Sequence, residues 1–280
     1  MRRDRRGFID MKIVANKLVS MELLQKYEQR AKKHFGQNFI IDPSVVKNIA
    51  KHSGSGGTCL EIGPGLGALT QQLAFVYDKV IAYEIDGYMV DILEESLEGL
   101  DNVEIIYEDF LKADLSRFTE EMSVCANLPY YITTPILFKL MTLNISKMTL
   151  MVQKEISDRL TAVPETKDYS SLSIQMQYYF DIKTVMKVSR ESFHPRPNVE
   201  SIIVQLTPKK NTMPYEEKAF FEFVRSCFQF RRKTLVNNLK TLELDVNYNE
   251  LLESLNIPTN IRADYLVYDD YVRIYGALYA

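Results

Sequence analysis

The sequence lacks several features that mark common classes of protein. It has no tryptophan, and its three cysteines, Cys59, Cys125 and Cys227, are far apart and form no CxxC pair. An odd, scattered set of cysteines is neither a disulfide framework nor a zinc site. The three histidines do not have the spacing of metal ligands. We therefore expect a protein without a metal or disulfides.

Long apolar segments are also missing. No apolar run approaches the roughly 18 residues that a membrane-spanning helix requires. Near the amino terminus, Asp10, Lys12 and Lys17 interrupt any stretch that would serve as the core of a signal peptide. Together with the sparse cysteines, these observations predict a cytoplasmic protein.

A strong excess of positive charge is absent as well. The chain has 34 Lys and Arg against 37 Asp and Glu, a net charge of −3, which counts against a nucleic-acid partner. The charges are unevenly distributed, however: residues 84–121 are acidic, whereas residues 1–33, 190–196 and 231–233 are basic. Local basic patches are sufficient for contacts with phosphates, although such patches are more often solvated helix faces.

The length of 280 residues favours one large and one smaller domain. Residues 1–33 are basic and prone to helix, and we treat them as an extension. Residues 34–208 alternate strands with helices, which predicts a parallel sheet covered on both faces. Residues 209–280 are helical throughout. The predicted strands are 58–62, 79–83, 103–107, 124–126, 148–152 and 201–206; the predicted helices are 66–77, 87–100, 135–142, 215–230, 231–242, 248–255 and 263–277. Another helix begins after Asp42, a capping residue that precedes Pro43.

A glycine-rich turn follows the first of these strands. Residues 59–68 read CLEIGPGLGA, with glycines at Gly63, Gly65 and Gly67. The spacing is GxGxG and not the GxGxxG of dinucleotide-binding turns, which must accommodate a pyrophosphate. S-adenosylmethionine has no pyrophosphate, so the tighter turn favours this cofactor. The turn alone is weak evidence, because many such turns are purely structural.

Acidic residues occupy the ends of the next two strands. Glu84 ends the second strand, where its carboxylate is able to accept two hydrogen bonds from a ribose diol. Asp109 follows the third strand and is able to accept a hydrogen bond from the cofactor's adenine amine, although Glu108 is a competitor. Ligands of doubly wound sheets bind at the carboxyl ends of the strands. Either residue alone is compatible with a solvated carboxylate in a loop. The glycines, Glu84 and Asp109 at three successive strand ends are together a more specific indication of a cofactor site.

The fourth strand ends in CANLPYY, residues 125–131. An adenine amine is a poor nucleophile, because its lone pair is delocalised into the ring. Hydrogen bonds from this amine to the Asn127 side-chain oxygen and the Leu128 carbonyl would localise the lone pair. Pro129 would fix the turn, and Tyr130 would stack on a displaced base. The rate enhancement would then come from positioning, without a strong general base. The alternative is an ordinary β-turn.

In this order, the motifs resemble the ribosomal RNA adenine N6,N6-dimethyltransferase family, specifically its bacterial small-subunit type. The resemblance covers nearly all of residues 32–275. It extends to KHFGQNF at 33–39, VQKE at 152–155, FHPRPNVES at 193–201, RRKTL at 231–235 and RA at 262–263. It implies an α/β fold: a Rossmann-like class I methyltransferase domain followed by a smaller, all-helical C-terminal domain that binds rRNA.

The resemblance also implies roles for individual residues. Gln37, Asn38 and the Ile40 backbone would hold the methionine end of S-adenosylmethionine, beside Gly63 and Gly65. Asn127 would contact both the cofactor and the target amine. Phe193 would help to enclose the target base, although the sequence fits a core aromatic equally well. Arg231, Arg232 and Lys233 would contact rRNA phosphates.

The implied partner is 16S rRNA in an assembling small ribosomal subunit, and nothing in the sequence requires more than a monomer. The product would be two adjacent dimethyladenosines in a hairpin loop near the 3′ end. Three alternatives stay open: a large-subunit adenine methyltransferase of the macrolide-resistance type, a ribosome-assembly or transcription factor that acts mainly by binding, and a small-molecule methyltransferase. The arginine-rich start with its second methionine, Met11, departs from the family pattern, as does Asp264 in the segment RADYL.

Overall fold

The computed structural model describes residues 12–32 and 35–279. Within them the chain divides into two compact units. The first comprises the part up to Lys154 together with Lys183–Pro208. The second comprises Glu155–Ile182 and the part from Lys209 onward. The sequence-based division had assigned residues 155–182 to the methyltransferase domain. They cluster with the second unit because their apolar side chains, such as Ile174, belong to the same buried core as Phe220.

The strands of the described residues form two sheets. They are β1 (Phe39–Ile40), β2 (Thr58–Ile62), β3 (Lys79–Glu84), β4 (Val103–Tyr107), β5 (Met122–Asn127), β6 (Ile145–Gln153), β7 (Phe180–Val188), β8 (Phe193–His194) and β9 (Ser201–Pro208). The main sheet has the order β4-β3-β2-β5-β6-β9-β7, and β1 pairs with β8. Strands β2 to β6 are parallel, as predicted. Strand β9, however, pairs antiparallel with β6, so the sheet is mixed.

The helices are α1 (Lys17–Lys26), α2 (Pro43–Ser53), α3 (Ala68–Val76), α4 (Gly87–Ser96), α5 (Thr133–Leu140), α6 (Lys154–Leu160), α7 (Ser171–Tyr179), α8 (Glu217–Cys227), α9 (Leu235–Leu239), α10 (Tyr248–Ser254) and α11 (Tyr268–Tyr279). As predicted, α2 begins at Pro43, and the Asp42 carboxylate accepts a hydrogen bond from the Ser44 N–H. No helix in the described ranges has the length and apolarity needed to cross a membrane.

The described part of the predicted basic extension is integral to the first unit. Residues 1–11 and Lys33 lie outside the described residues. Val14, Leu23 and Leu24 are buried in the core of the first unit. The Gln71 side chain accepts a hydrogen bond from the Val14 N–H at 3.1 Å and donates to the Lys12 carbonyl at 3.1 Å. Residues 12–32 therefore pack on the core of the first unit and do not form a separate extension.

The glycine-rich turn is sterically constrained at its last glycine, which precedes α3. Gly67 has a φ of +87°, which side-chain-bearing residues rarely adopt. A Cβ at this position would lie 2.9 Å from Ser96 Oγ and 3.0 Å from Leu97 Cδ2. Glycine at residue 67 thus allows the turn to pass directly over the end of α4.

We expect Gly67→Ala to lower the free energy of unfolding by roughly 2–4 kcal/mol, because backbone strain and overpacking add. Gly57→Ala is the matched control: Gly57 has a φ of +60°, but no atom lies within 4 Å of its added Cβ. In the control, the free energy of unfolding should fall by only about 1 kcal/mol, because backbone strain acts there alone. Urea unfolding measures both variants, and equal losses would contradict the packing argument.

Candidate cofactor and substrate site

A cavity lies in the first unit, at the carboxyl ends of the parallel strands. Its lining includes all the residues that the sequence predicts for the cofactor: Gln37, Asn38, Ile40, Gly63, Gly65, Glu84, Asp109 and Asn127. Leu128, Pro129 and Tyr130 also line it. Segments that are far apart in the sequence therefore meet at one site.

The register of the parallel strands brings these segments together. Ile62 pairs with Tyr83, and Glu84 pairs with Tyr107, so the turns after β2, β3 and β4 begin at the same edge of the sheet. Glu108, at the start of the third turn, donates its N–H to the Glu84 carbonyl at 3.0 Å. Asp109 follows and accepts a hydrogen bond from the Leu111 N–H at 3.0 Å. The edge thus carries the glycine turn and two acidic side chains in adjacent positions.

Glu84 is held beneath the glycine-rich turn. It is only 4% exposed, and its carboxylate accepts N–H groups from Gly65 at 3.2 Å and from Ile85 and Asp86 at 2.9 Å. Burial raises the pKa of Glu84, and these N–H groups act in the opposite direction. Gly65 has a φ of +60°, and a Cβ there would lie 3.2 Å from the Phe39 ring. A side chain at residue 65 would therefore occupy the space beside the pocket.

The turn after β5 offers an unused acceptor. Asn127 Nδ2 lies 3.4 Å from the Asn38 carbonyl, its hydrogen-bond acceptor. Asn127 Oδ1 is buried and has no hydrogen-bond partner among the described residues. The turn is fixed around it, because the Leu128 N–H donates to Met151 at 3.1 Å and the Thr133 hydroxyl donates to the Pro129 carbonyl at 3.0 Å. A buried acceptor without a partner, in a pocket, is suited to a donor on a ligand.

Two tyrosines follow this turn. The Tyr130 hydroxyl forms a hydrogen bond of 2.6 Å with Ser201 Oγ, at the start of β9, and burial raises the pKa of Tyr130. Tyr131 is half-exposed, and its ring packs against Gly36. Ser201 thereby anchors the ring of Tyr130. The sequence analysis did not single out Ser201, although it ends a motif quoted for the family.

The side chain of Gln37 is largely engaged within the protein. Its Nε2 donates to Asp86 at 2.9 Å, and its Oε1 accepts the Lys32 N–H at 2.8 Å. Lys32 Nζ lies 2.8 Å from Asp86 Oδ1, and the Asp86 side chain is only 2% exposed. Asp86 therefore positions the segment that contains Gln37 and Asn38. Sequence reasoning missed this role, since nothing local to Asp86 identifies a partner 54 residues away.

Glu61 is a further pocket residue that the sequence analysis did not assign. It is 1% exposed, and its Oε2 has no hydrogen-bond partner among the described residues. Burial, with a smaller contribution from the neighbouring Glu84, raises the pKa of Glu61 to about 8. Its position at the end of β2, directly before the glycine turn, was the available signal.

Four predicted residues are not among those that line the pocket. Phe193 is 3% exposed in the core of the first unit, where it pairs with Ile40 across β1 and β8. Arg231, Arg232 and Lys233 are exposed in the second unit, in a turn. The predicted helix 231–242 is wrong at its start, because Thr234 caps α9, which begins at Leu235. No group of His, Cys, Asp and Glu suited to a metal occurs among the residues that the structure describes.

The sequence profile of the family described as "Ribosomal RNA adenine dimethylase" matches residues 28–279. The chain belongs to this family. It is 41% identical to "Ribosomal RNA small subunit methyltransferase A" of Oceanobacillus iheyensis, over 96% of this chain and 97% of that protein. It is 49% identical to the protein of the same name from Geobacillus thermodenitrificans, over 78% of this chain and 79% of the relative.

Solved structures agree with this assignment. A dimethyladenosine transferase from Plasmodium falciparum superimposes with a TM-score of 0.71 at 28% identity, over 84% of this chain and 95% of that one. The 23S rRNA methyltransferase ErmE gives a TM-score of 0.65 at 26% identity, over 86% and 99%. The chain is therefore an S-adenosylmethionine-dependent rRNA methyltransferase with the Rossmann-like class I fold. The pocket fits this cofactor, since Gly65 leaves room beside it and Asn127 Oδ1 offers a free acceptor.

We expect Asp86→Asn to weaken cofactor affinity. The variant keeps the shape of the side chain but loses the charge that pairs with Lys32 and accepts from Gln37, so the pocket segment is held less firmly. The Kd for S-adenosylhomocysteine, measured by calorimetry, should rise roughly tenfold. Glu95→Gln is the control, because it breaks an ion pair with Lys26 whose residues do not line the pocket. An unchanged Kd in Asp86→Asn would rule out this positioning role.

The raised pKa of Glu61 predicts a pH-dependent stability. The folded protein holds a proton on Glu61 up to about pH 8, whereas an unfolded chain loses it near the ordinary pKa of 4.5. Stability from this group is therefore complete below pH 4.5 and is lost as the pH rises to about 8. Glu61→Gln should lose less stability than the wild type between pH 5 and pH 8.5. The exposed substitution Glu98→Gln is the control, and equal pH profiles for Glu61→Gln and the wild type would refute the assignment.

Proposed function

We propose that this chain dimethylates the N6 amines of two adjacent adenosines in a hairpin loop near the 3′ end of 16S rRNA. The observation that carries the proposal is the buried, unpartnered Asn127 Oδ1 in the pocket. It is an acceptor placed where an amine is to be bound and oriented. The small-subunit relatives, at 41% and 49% identity, support the choice of rRNA.

In this mechanism the pocket residues bind and orient. Glu84 accepts hydrogen bonds from the ribose of the cofactor, and Asp109 accepts one from its adenine amine. Gly63 and Gly65 allow the backbone to approach the cofactor, beside Asn38 and the Ile40 backbone. Gln37 acts mainly through its backbone and the segment it anchors, because its side chain already binds Asp86 and Lys32. S-adenosylmethionine supplies the electrophilic methyl group when bound.

The target adenine is handled by the turn after β5. Asn127 Oδ1 and the Leu128 carbonyl accept the two amine hydrogens and so favour a localised lone pair. Pro129 keeps the carbonyl in place, and Tyr130, anchored by Ser201, stacks on the base. The main contribution to the rate is alignment of the amine, and its proton leaves after the transfer.

Residues outside the pocket have supporting roles in the proposal. Phe193, which is buried in the core next to Ile40, holds β1 at the pocket wall without touching the base. Arg231, Arg232 and Lys233 bind rRNA phosphates, because they are exposed cations in a turn of the second unit. The proposed working state is a cytoplasmic monomer acting on the small subunit, with a part in its assembly.

The principal alternative is methylation of large-subunit rRNA. It is supported by the likeness to ErmE, but at 26% identity, well below that of the small-subunit relatives. A second alternative is an assembly factor that acts by binding alone. The intact, fixed turn around Asn127 favours catalysis, since binding by itself does not require an unused buried acceptor.

The test uses purified protein, labelled S-adenosylmethionine and small subunits that lack this modification. Mass spectrometry of the nucleosides should detect N6,N6-dimethyladenosine with the wild type. Asn127→Ala should reduce its formation at least about a hundredfold, as expected when a group that orients the reacting atom is lost. The control Asn249→Ala makes the same chemical change on the exposed surface of α10 and should retain activity.

Two results would overturn the proposal. Methylation of large subunits but not of small ones would assign the chain to the alternative substrate. Binding of small subunits without any methylated adenosine, with the cofactor bound, would favour the assembly factor.

A further inference from the structure

The basic turn of the second unit contains an exposed aromatic side chain that the proposed function does not use. We define this turn as residues 230–233: Phe230, Arg231, Arg232 and Lys233. Phe230 is 49% exposed, whereas Phe220, Phe221 and Phe223 of the preceding helix are fully buried in the core. The turn thus displays one large apolar ring in sequence with three exposed cations.

A buried side chain holds the backbone of Phe230 in place. Asn238 is 1% exposed, and its Oδ1 accepts the Phe230 N–H at 2.7 Å. Its Nδ2 donates to the Phe230 and Thr234 carbonyls, both at 3.3 Å. The Lys233 N–H also donates to the Phe230 carbonyl, at 2.9 Å. Both backbone polar groups of Phe230 are therefore tied down, so its ring is presented by a rigid turn and not by a frayed helix end.

The charges around Phe230 favour an anionic partner. Arg231 donates a hydrogen bond to the Lys167 carbonyl, which holds its guanidinium at the turn. Neither Arg232 nor Lys233 has an ion pair in the part of the chain that the structure describes. Asp264 lines the same small cavity as Phe230 and Lys233, but Arg262 already forms an ion pair with it. The turn therefore retains uncompensated positive charge in a chain whose net charge is −3.

An exposed aromatic ring beside unpaired cations has the chemistry of a single-strand contact. Unpaired bases stack on aromatic rings irrespective of sequence, and the cations bind the flanking phosphates. A protein partner does not combine regularly spaced negative charges with flat π surfaces in the way that a nucleic-acid strand does. Duplex RNA is also less suitable, because its bases are already stacked.

We propose that Phe230 stacks on an unpaired base of the small-subunit rRNA, while Arg232 and Lys233 bind the adjacent phosphates. The choice of RNA rests on the proposed function. Asn238 is then a positioning residue, which holds the backbone of the stacking residue. The contact serves to recognise the substrate, and none of its residues lines the pocket that binds the cofactor.

The experiment measures the Kd for unmodified small subunits at several salt concentrations. Phe230→Ala should weaken binding roughly tenfold, the value of one lost stacking contact, and leave the salt dependence unchanged. Phe230→Trp should bind like the wild type, whereas Phe230→Leu, which is apolar but lacks a π face, should behave like the alanine variant. Arg232→Ala should instead reduce the slope of log K against log salt by about 0.7, the value for one phosphate of a single strand. Urea unfolding of each variant, compared with the wild type, checks that the second unit is folded.

A photo-crosslinking benzophenone residue at position 230 identifies the partner directly. A crosslink to an rRNA nucleotide supports the proposal, and a crosslink only to ribosomal protein overturns it. Wild-type affinity in Phe230→Ala, with the wild type still methylating the subunits, overturns the stacking contact and leaves the proposed function intact. Failure of the wild type to bind or methylate small subunits would contradict both the stacking contact and the proposed function.

Discussion

The parallel hydrogen-bonded ladder of β2 to β5 is the constraint on which the site depends. In a parallel ladder the carboxyl ends of neighbouring strands lie at the same edge, and the register here places the residues after Ile62, Tyr83 and Ile106 side by side. Each loop then contributes one chemical function. The glycine turn allows the backbone to approach a ligand closely, the ends of β3 and β4 provide carboxylates, and the end of β5 provides a fixed amide. None of these groups is unusual alone, and their chemistry arises from their juxtaposition by the sheet.

The parts of the site that were predictable from the sequence are those whose signal is local. Glu84 and Asn127 each directly follow a predicted strand, so their place in the fold followed from the strand assignment alone. Partners distant in sequence were not predictable. The two-residue strands β1 and β8 pair across more than 150 residues, and neither is long enough to show an alternating pattern. Asp86 was missed for the same reason, because its partners Lys32 and Gln37 belong to a segment without a recognisable period.

The predicted start of a helix was wrong where a capping residue follows residues with a helical composition. The basic triplet has the composition of a helix, but Thr234 accepts the Asn237 N–H and starts α9 after it. The predicted domain division at residue 208 agrees with one limit of the second unit and omits its other segment. Residues 155–182 lie between two predicted strands of the first unit, and only their shared core with Phe220 and Phe221 assigns them to the second unit. The local sequence pattern therefore predicts the secondary structure of a segment more reliably than it predicts the core against which the segment packs.

The distribution of charge explains how an acidic protein is suited to an RNA substrate. Glu84 and Asp86, at this edge of the sheet, are buried and are held by backbone N–H groups or by an ion pair, so they project little negative potential. The cations of residues 231–233 are exposed, and potential from exposed charge extends over roughly a Debye length of about 10 Å. An approaching phosphate thus experiences the exposed turn far more strongly than the buried acids. Net charge describes the whole chain, whereas recognition depends on which charges the fold leaves in contact with solvent.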